Sequence, residues 1–142
     1  MKGLAITSKG IEEISSLEIK ELINAECKAE QGCVVFDFKD FKDLCLLCYK
    51  SQSADRILYL IGGFEFNDFF EELEKFIDEI NLDDWIIKCK NFKVECIRTG
   101  NHDFNSVHVE TNATKLILDK YKNKKNDIKN YEIIFLIHII NN

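Results

Sequence analysis

The residues best suited to chemistry in this 142-residue chain lie in one short stretch, Arg98-Thr99-Gly100-Asn101-His102-Asp103-Phe104-Asn105-Ser106. It follows an alternating run from Phe92 to Arg98 and precedes a helical pattern in which Val109, Ala113, Leu116 and Ile117 share one face. A helix N-terminus presents unpaired N–H groups with a partial positive charge, a glycine lets an anion approach the backbone, and an arginine adds a forked donor. Asn105 or Ser106 would cap the helix. The stretch therefore reads as an anion site, and equally as a capped helix with Arg98 in a local ion pair. His102 has the chemistry to stack on a base, to donate to phosphate or to cap the loop.

A second grouping is electrostatic. Lys120, Lys122, Lys124, Lys125 and Lys129 fall between that helix and the last apolar run. The formal charge is −6, from 19 basic and 25 acidic residues, which argues against indiscriminate polyanion binding. The distribution is uneven: from Glu65 to Trp85 there are 1 basic and 9 acidic residues, and from Ile86 to Asn142 there are 10 and 6. A polyanion partner should meet the C-terminal part.

The third grouping is six cysteines with one C-x-x-C, Cys45 and Cys48. Phe41, Leu44, Cys45 and Cys48 fall on one helical stripe, so both thiols should face a core. No second cysteine pair or histidine pair follows at zinc-finger spacing, and a thioredoxin-like pair would open a helix, so the thiols are expected to be structural and reduced. Asp83-Asp84 lacks the further ligands a metal site needs and reads as a turn; His108 and His138 read as structural.

The elements that position these residues are legible from periodicity, although proline is absent and glycine numbers only 6. Gly3 to Thr7 predicts a strand, and Ile11, Ile14, Ile19 and Leu22 a helix. Glu26 to Glu30 and Cys33 to Phe38 predict two strands, followed by the helix carrying Cys45 and a strand from Arg56 to Ile61. This β-α-β-β-α-β order is the ferredoxin-like split βαβ. Gly62-Gly63 marks the boundary, giving units 1–63 and 64–142. Beyond it, Phe69, Leu73, Phe76, Ile77 and Ile80 line a helix whose outer face is acidic. The run from Tyr131 to Ile140, apolar on both faces, should be a central or covered strand.

At the Arg98 stretch the chain resembles the THUMP-containing RNA-modification enzymes. Phe92-Lys93-Val94-Glu95-Cys96-Ile97-Arg98-Thr99-Gly100-Asn101-His102-Asp103-Phe104-Asn105-Ser106 is similar to the family's F-x-V-x-x-x-R-x-G-x-H-x-F-x-S pattern, and Val109-Glu110 to the start of its following helix. Gly3-Leu4-Ala5-Ile6-Thr7-Ser8-Lys9-Gly10-Ile11-Glu12-Glu13-Ile14 resembles the opening of the ferredoxin-like domain that precedes THUMP. Ala113 stands where the family's helix usually has Gly, and the chain stops near Ile140 where THUMP adds a strand, so the second unit is expected to be cut short.

The resemblance implies an α+β fold, a ferredoxin-like domain followed by a THUMP-like α/β domain, that binds the acceptor stem and 3′ end of tRNA, or rRNA. It implies Arg98, Asn101, His102 and Ser106 as RNA contacts. Lys115, Lys122, Lys124 and Lys125 are added from charge alone as an electrostatic rim. The order is most like RNA guanine-N2 methyltransferases, whose catalytic Rossmann domain would bring S-adenosylmethionine in cis. These 142 residues contain no G-x-G-x-x-G after a strand, and no N-P-P-F/Y motif is possible without proline, so no cofactor is expected here. The alternative is a stand-alone tRNA-binding adaptor acting in trans with another modification enzyme, such as a tRNA acetyltransferase. A self-contained enzyme is the weakest reading, for want of a nucleophile or acid–base pair. No run reaches the roughly 20 apolar residues of a membrane span and no signal-peptide pattern opens the chain, so the expected location is the cytoplasm.

Overall fold

A computed structural model describes residues 1–140, and two separate units account for them, Met1–Gly63 and the residues from Phe64 onward. In the first, β1 (Lys2–Thr7), α1 (Glu12–Ile23), β2 (Cys27–Glu30), β3 (Cys33–Asp37), α2 (Phe41–Lys50) and β4 (Ala54–Tyr59) follow the order read from the sequence. The strands form one antiparallel sheet in the order β2-β3-β1-β4. β1 and β2 flank β3, so the β1-α1-β2 crossover is split by the strand that follows it, which defines the ferredoxin-like fold.

The core of this sheet is built from Ala5, Ile19, Val34, Phe36, Phe38, Leu44 and Leu47. Gly3 is required by packing: it pairs with Phe36 across the sheet, and a Cβ there would lie 2.3 Å from the Phe36 ring. The helices differ from expectation in the face they bury. α1 turns Ser15, Ser16 and Ile19 inward and leaves Ile14 exposed. Small hydroxyl residues suit this contact because Thr7 and Ser15 join side chains at 2.9 Å and Thr7 Oγ1 donates to the Ser53 carbonyl at 2.7 Å.

α2 buries Leu44 and Leu47, and Cys45 and Cys48 are exposed, so the expectation that both thiols face the core fails. Leu44 and Leu47 are three apart and fill the space under the sheet; Cys45 and Cys48 are each one position further round and fall on the flank. Of the six free thiols, Cys33 is buried, and burial pushes it up to about 11.

The second unit contains α3 (Phe69–Glu79), α4 (Asp83–Ile86), β5 (Asn91–Thr99), α5 (Ser106–Lys120), β6 (Lys125–Asn126) and β7 (Ile133–Ile140). Asp83-Asp84 opens α4, a single helical turn instead of the expected simple turn. The sheet runs β6-β5-β7, with both neighbours parallel to β5. Among the described residues β7 pairs only with β5, so of the two expected alternatives, a central or a covered strand, it is not the central one, while its Phe135 and Ile139 are covered. Phe92 and Val94 of β5 and Phe135 and Ile139 of β7 face α3 and α5, whose Phe69, Leu73, Ile77, Val109, Ala113 and Ile117 complete the core. Ala113 is fully buried in it. The acidic residues of α3 lie outside this core, with Lys75 paired to Glu71 and Glu72. Among the described residues no helix is long and apolar enough to cross a membrane.

Candidate functional site

The site grows out of the C-terminal end of β5. Gly100 adopts φ of 117°, which a side chain would strain, and turns the chain away from the strand. The loop then returns to Asn105, whose Oδ1 accepts the His108 N–H at 2.9 Å and caps α5. Of the two candidate caps, Asn105 is the one used.

Arg98 fastens this loop. Its Nε donates to Ser106 Oγ at 3.3 Å, its Nη1 donates to the Phe104 carbonyl, and the guanidinium lies 5.8 Å from the centroid of the Phe104 ring. The ion-pair reading of Arg98 thus gives way to hydrogen bonds with neutral groups. The guanidinium has five donors, and these bonds use two of its nitrogens in shaping the loop. A second tie comes from Glu110, which the sequence marked only as part of a helix start: its Oε1 accepts the Cys96 N–H at 3.0 Å and pins α5 to β5. Cys96 lies between them, and burial raises its thiol despite the hydrogen bond to Ser106. A nucleophilic thiolate is therefore disfavoured.

The aromatic residues of the loop stack inward. Phe104 lies over Phe69 at 4.8 Å and 27°, and His102 lies over Phe104 at 5.2 Å and 30°. Phe66 and Phe70 both contact this stack. Sequence reasoning missed the three phenylalanines of the α3 entry. The sequence placed only Phe69 on a helical stripe and singled out neither Phe66 nor Phe70, and only the tertiary approach of α3 reveals that they support the loop.

Arg98, His102 and Ser106 are therefore brought together, with exposed Asn101 at the tip. The lysines are not. Lys125 pairs with Asn91 at the opposite end of β5, and the seven steps from Asn91 to Arg98 span roughly 23 Å. Lys122 is exposed beside it. Lys115 is exposed on α5, about 14 Å along the helix from Ser106. Lys124 is a structural tether, its ammonium donating to the carbonyls of Ile87 at 3.0 Å and Cys89 at 2.6 Å. Lys120 does the same for the carbonyls of Ile77, Asp78 and Ile80 that end α3. The lysines expected as an electrostatic rim thus lie away from the Arg98 loop, with Lys122 and Lys125 by the start of β5, and Lys124 is consumed in a tether.

The described residues hold no group of three or more histidine, cysteine, aspartate or glutamate side chains suited to a metal. The crossover from β5 to α5 does not fit S-adenosylmethionine, since it carries a single glycine and its turn is closed by Arg98.

Comparison with known proteins agrees with this geometry. The THUMP domain family matches residues 67–142, and the RlmL ferredoxin-like domain matches residues 2–58. A tRNA (guanine(6)-N2)-methyltransferase of Methanocaldococcus jannaschii is 26% identical over 122 residues, covering 84% of this chain and 32% of that protein. The chain thus spans about a third of the length of this curated relative. The structure of TrmN from Thermus thermophilus superposes with a TM-score of 0.72 at 20% identity, over 99% of this chain and 42% of that one. A 4-thiouridine synthetase, solved as an RNA complex with bound ATP, gives a TM-score of 0.63 at 16% identity, over 96% and 38%. Since the THUMP match alone takes in more than half of the residues and contains the whole Arg98–Ser106 loop, the chain belongs to the THUMP domain family, preceded by a ferredoxin-like domain of the RlmL type.

Proposed function

We propose that this chain is the RNA-binding module of a tRNA guanine-N2 methyltransferase, engaging tRNA through the loop after β5 while a catalytic domain in cis supplies S-adenosylmethionine and the methyl transfer. The observation that carries the reading is the loop itself: Arg98 holds it from within, so Asn101 and the first turn of α5 meet the RNA in a fixed geometry. Preorganised contacts of this kind position a nucleic acid at little ordering cost. The relative from Methanocaldococcus jannaschii supports the substrate class and the chemistry of the parent protein.

In this reading Arg98 positions the loop through its bonds to Phe104 and Ser106. Lys122 and Lys125 supply salt-dependent attraction at a second place along the RNA, at the far end of β5. The test is titration of intact tRNA at low salt with the parent chain and with Asn101→Glu, an exposed substitution that sets a carboxylate against the RNA. Binding should weaken about tenfold with the circular dichroism spectrum unchanged. Equal affinity of the two proteins would overturn the reading.

A further inference from the structure

The first unit carries a pair of thiols that its core does not use. Cys45 and Cys48 are both exposed on α2, while Leu44 and Leu47 fill the space under the sheet. Steps of three and four residues join the two cysteines to Phe41 and Tyr49 in one stripe along the helix, and all four are exposed. Phe41 is 53% exposed and Tyr49 86%. Two solvent-facing thiols flanked by large apolar rings make a surface that proteins ordinarily avoid, because it invites both oxidation and association.

Spacing decides what the pair can hold. Residues three apart on a helix have Cβ atoms about 5–6 Å apart. A disulfide needs about 3.5–4.5 Å between them, so closing one would distort α2. A soft ion relieves that requirement: at a Zn–S length of about 2.3 Å, two sulfurs on a tetrahedral zinc sit roughly 3.8 Å apart, within reach of both Cβ atoms. The nearby carboxylates are already committed, Asp40 to the Lys42 N–H at 2.7 Å and Asp43 to the Lys39 N–H at 2.8 Å. Among the described residues no third histidine, cysteine, aspartate or glutamate joins the two thiols in a metal-ligating group. One chain therefore supplies half of a zinc coordination sphere.

We propose that Cys45 and Cys48 are half of a four-thiolate zinc site, completed by the same two residues of a second copy of this chain. Two exposed dithiols related by a twofold axis give the closed tetrahedral set that structural zinc takes. Binding deprotonates the four thiols and releases their protons to solvent, so that the ion's two positive charges face four negative ones. Exposed Lys42, three residues before Cys45, brings each copy a cation beside this negative centre. The Phe41 and Tyr49 rings flank it and lose contact with water in the same association. The site lies within the first unit and does not depend on the RNA-binding reading.

The test is sedimentation velocity of the full chain, reduced with a phosphine and freed of metal, across a zinc titration. The chain should pass from monomer to dimer at one zinc per two chains and return to monomer when a chelator is added. Cobalt(II) in place of zinc should give the intense visible absorption of a tetrahedral thiolate centre at the same stoichiometry. Cys45→Ser with Cys48→Ser, both at exposed positions, should stay monomeric in zinc and lose the cobalt spectrum while its circular dichroism is unchanged. If that variant unfolds, Cys48→Ser alone decides: losing one ligand from each copy should raise the zinc needed for half-dimerisation at least about tenfold. A chain that stays monomeric in zinc, that binds one zinc per monomer, or that dimerises equally without metal would overturn the proposal. Zinc-driven dimers or a cobalt spectrum that survive the double serine variant would place the metal on the other thiols and overturn it as well.

Discussion

The two units differ in the charges that tie their loops. In the ferredoxin-like unit, carboxylates accept from backbone N–H groups and hydroxyls. Glu12 takes the N–H groups of Gly10 and Gly32, both at 2.8 Å, and Glu18 takes Ser51 Oγ, Gln52 N–H and both donors of Ser53. The second unit uses carboxylates as well, Glu110 on the Cys96 N–H and Glu132 on the Lys90 N–H, and adds cationic ties: Arg98 to Phe104, Lys120 to the end of α3, Lys124 to the segment after α4. Positive charge counted in the second half of the sequence is therefore an overestimate of what an RNA can reach. Three of the ten basic residues from Ile86 onward are engaged with the protein's own carbonyls.

The comparison is most exposed at Arg98. Arg98→Ala leaves the Phe104 carbonyl and Ser106 without their donor and removes the cation from the face of Phe104, so it should cost about 3 kcal/mol. Urea unfolding read through Trp85, the single tryptophan and a member of the second unit, is the measurement. Arg98→Glu should be at least as damaging, because it adds an unpaired charge. A stable Arg98→Ala protein that fails to bind tRNA would mean the guanidinium serves the RNA and not the loop.

Lys120→Met comes next. It keeps the aliphatic stem and removes a donor shared by three carbonyls at 2.6–2.8 Å, so the same unfolding curve should shift by about 1–2 kcal/mol. An unchanged midpoint would show that α3 ends as well on water as on the ammonium.

In the first unit the corresponding test is acid. Burial opposes the charged form of Glu18, yet the donors of Ser53, Ser51 and Gln52 outweigh it and hold its pKa below the ordinary glutamate value. A lowered folded pKa gives stability that is present above the unfolded value of about 4.3 and is lost as pH falls through the folded one. Glu18→Gln should cost about 1 kcal/mol at pH 7 and make the loss of stability below about pH 4.3 less steep. Parallel acid profiles for the two proteins would remove Glu18 from the account.

Much of this was readable in advance, and the failures have physical causes. The split βαβ order and the Arg98–Ser106 stretch are local patterns, so periodicity and motif sufficed. In α2, Phe41, Leu44, Cys45, Leu46, Leu47 and Cys48 are nearly all apolar; period alone does not choose a face, and the choice of Leu44 and Leu47 belongs to the sheet above them. β7, apolar on both faces, reads as central or covered, and its sequence does not choose between them because pairing partners are not a local property. The same holds for the lysines: only the parallel pairing of β6 to the start of β5 shows that Lys125 and Arg98 lie at opposite ends.

That separation yields the smallest expected effect on stability and a distinct effect on binding. Lys122 and Lys125 are exposed, whereas Lys124 between them is tied to the carbonyls of Ile87 and Cys89. Lys122→Ala with Lys125→Ala should leave unfolding within about 0.5 kcal/mol of the parent, as for exposed side chains without structural partners. If both lysines lie along the RNA backbone, each releases close to one counterion, and the slope of log affinity against log salt should fall by about 1.5 in the double variant. Lys124→Ala should behave in the opposite manner, lowering stability by about 1 kcal/mol and changing the slope little, because its charge is already held by the protein. Measuring tRNA affinity across a salt series for the three proteins separates the cases. A slope that is unchanged in the double variant and reduced in Lys124→Ala would reverse the assignment of which cations face the RNA and which close the fold.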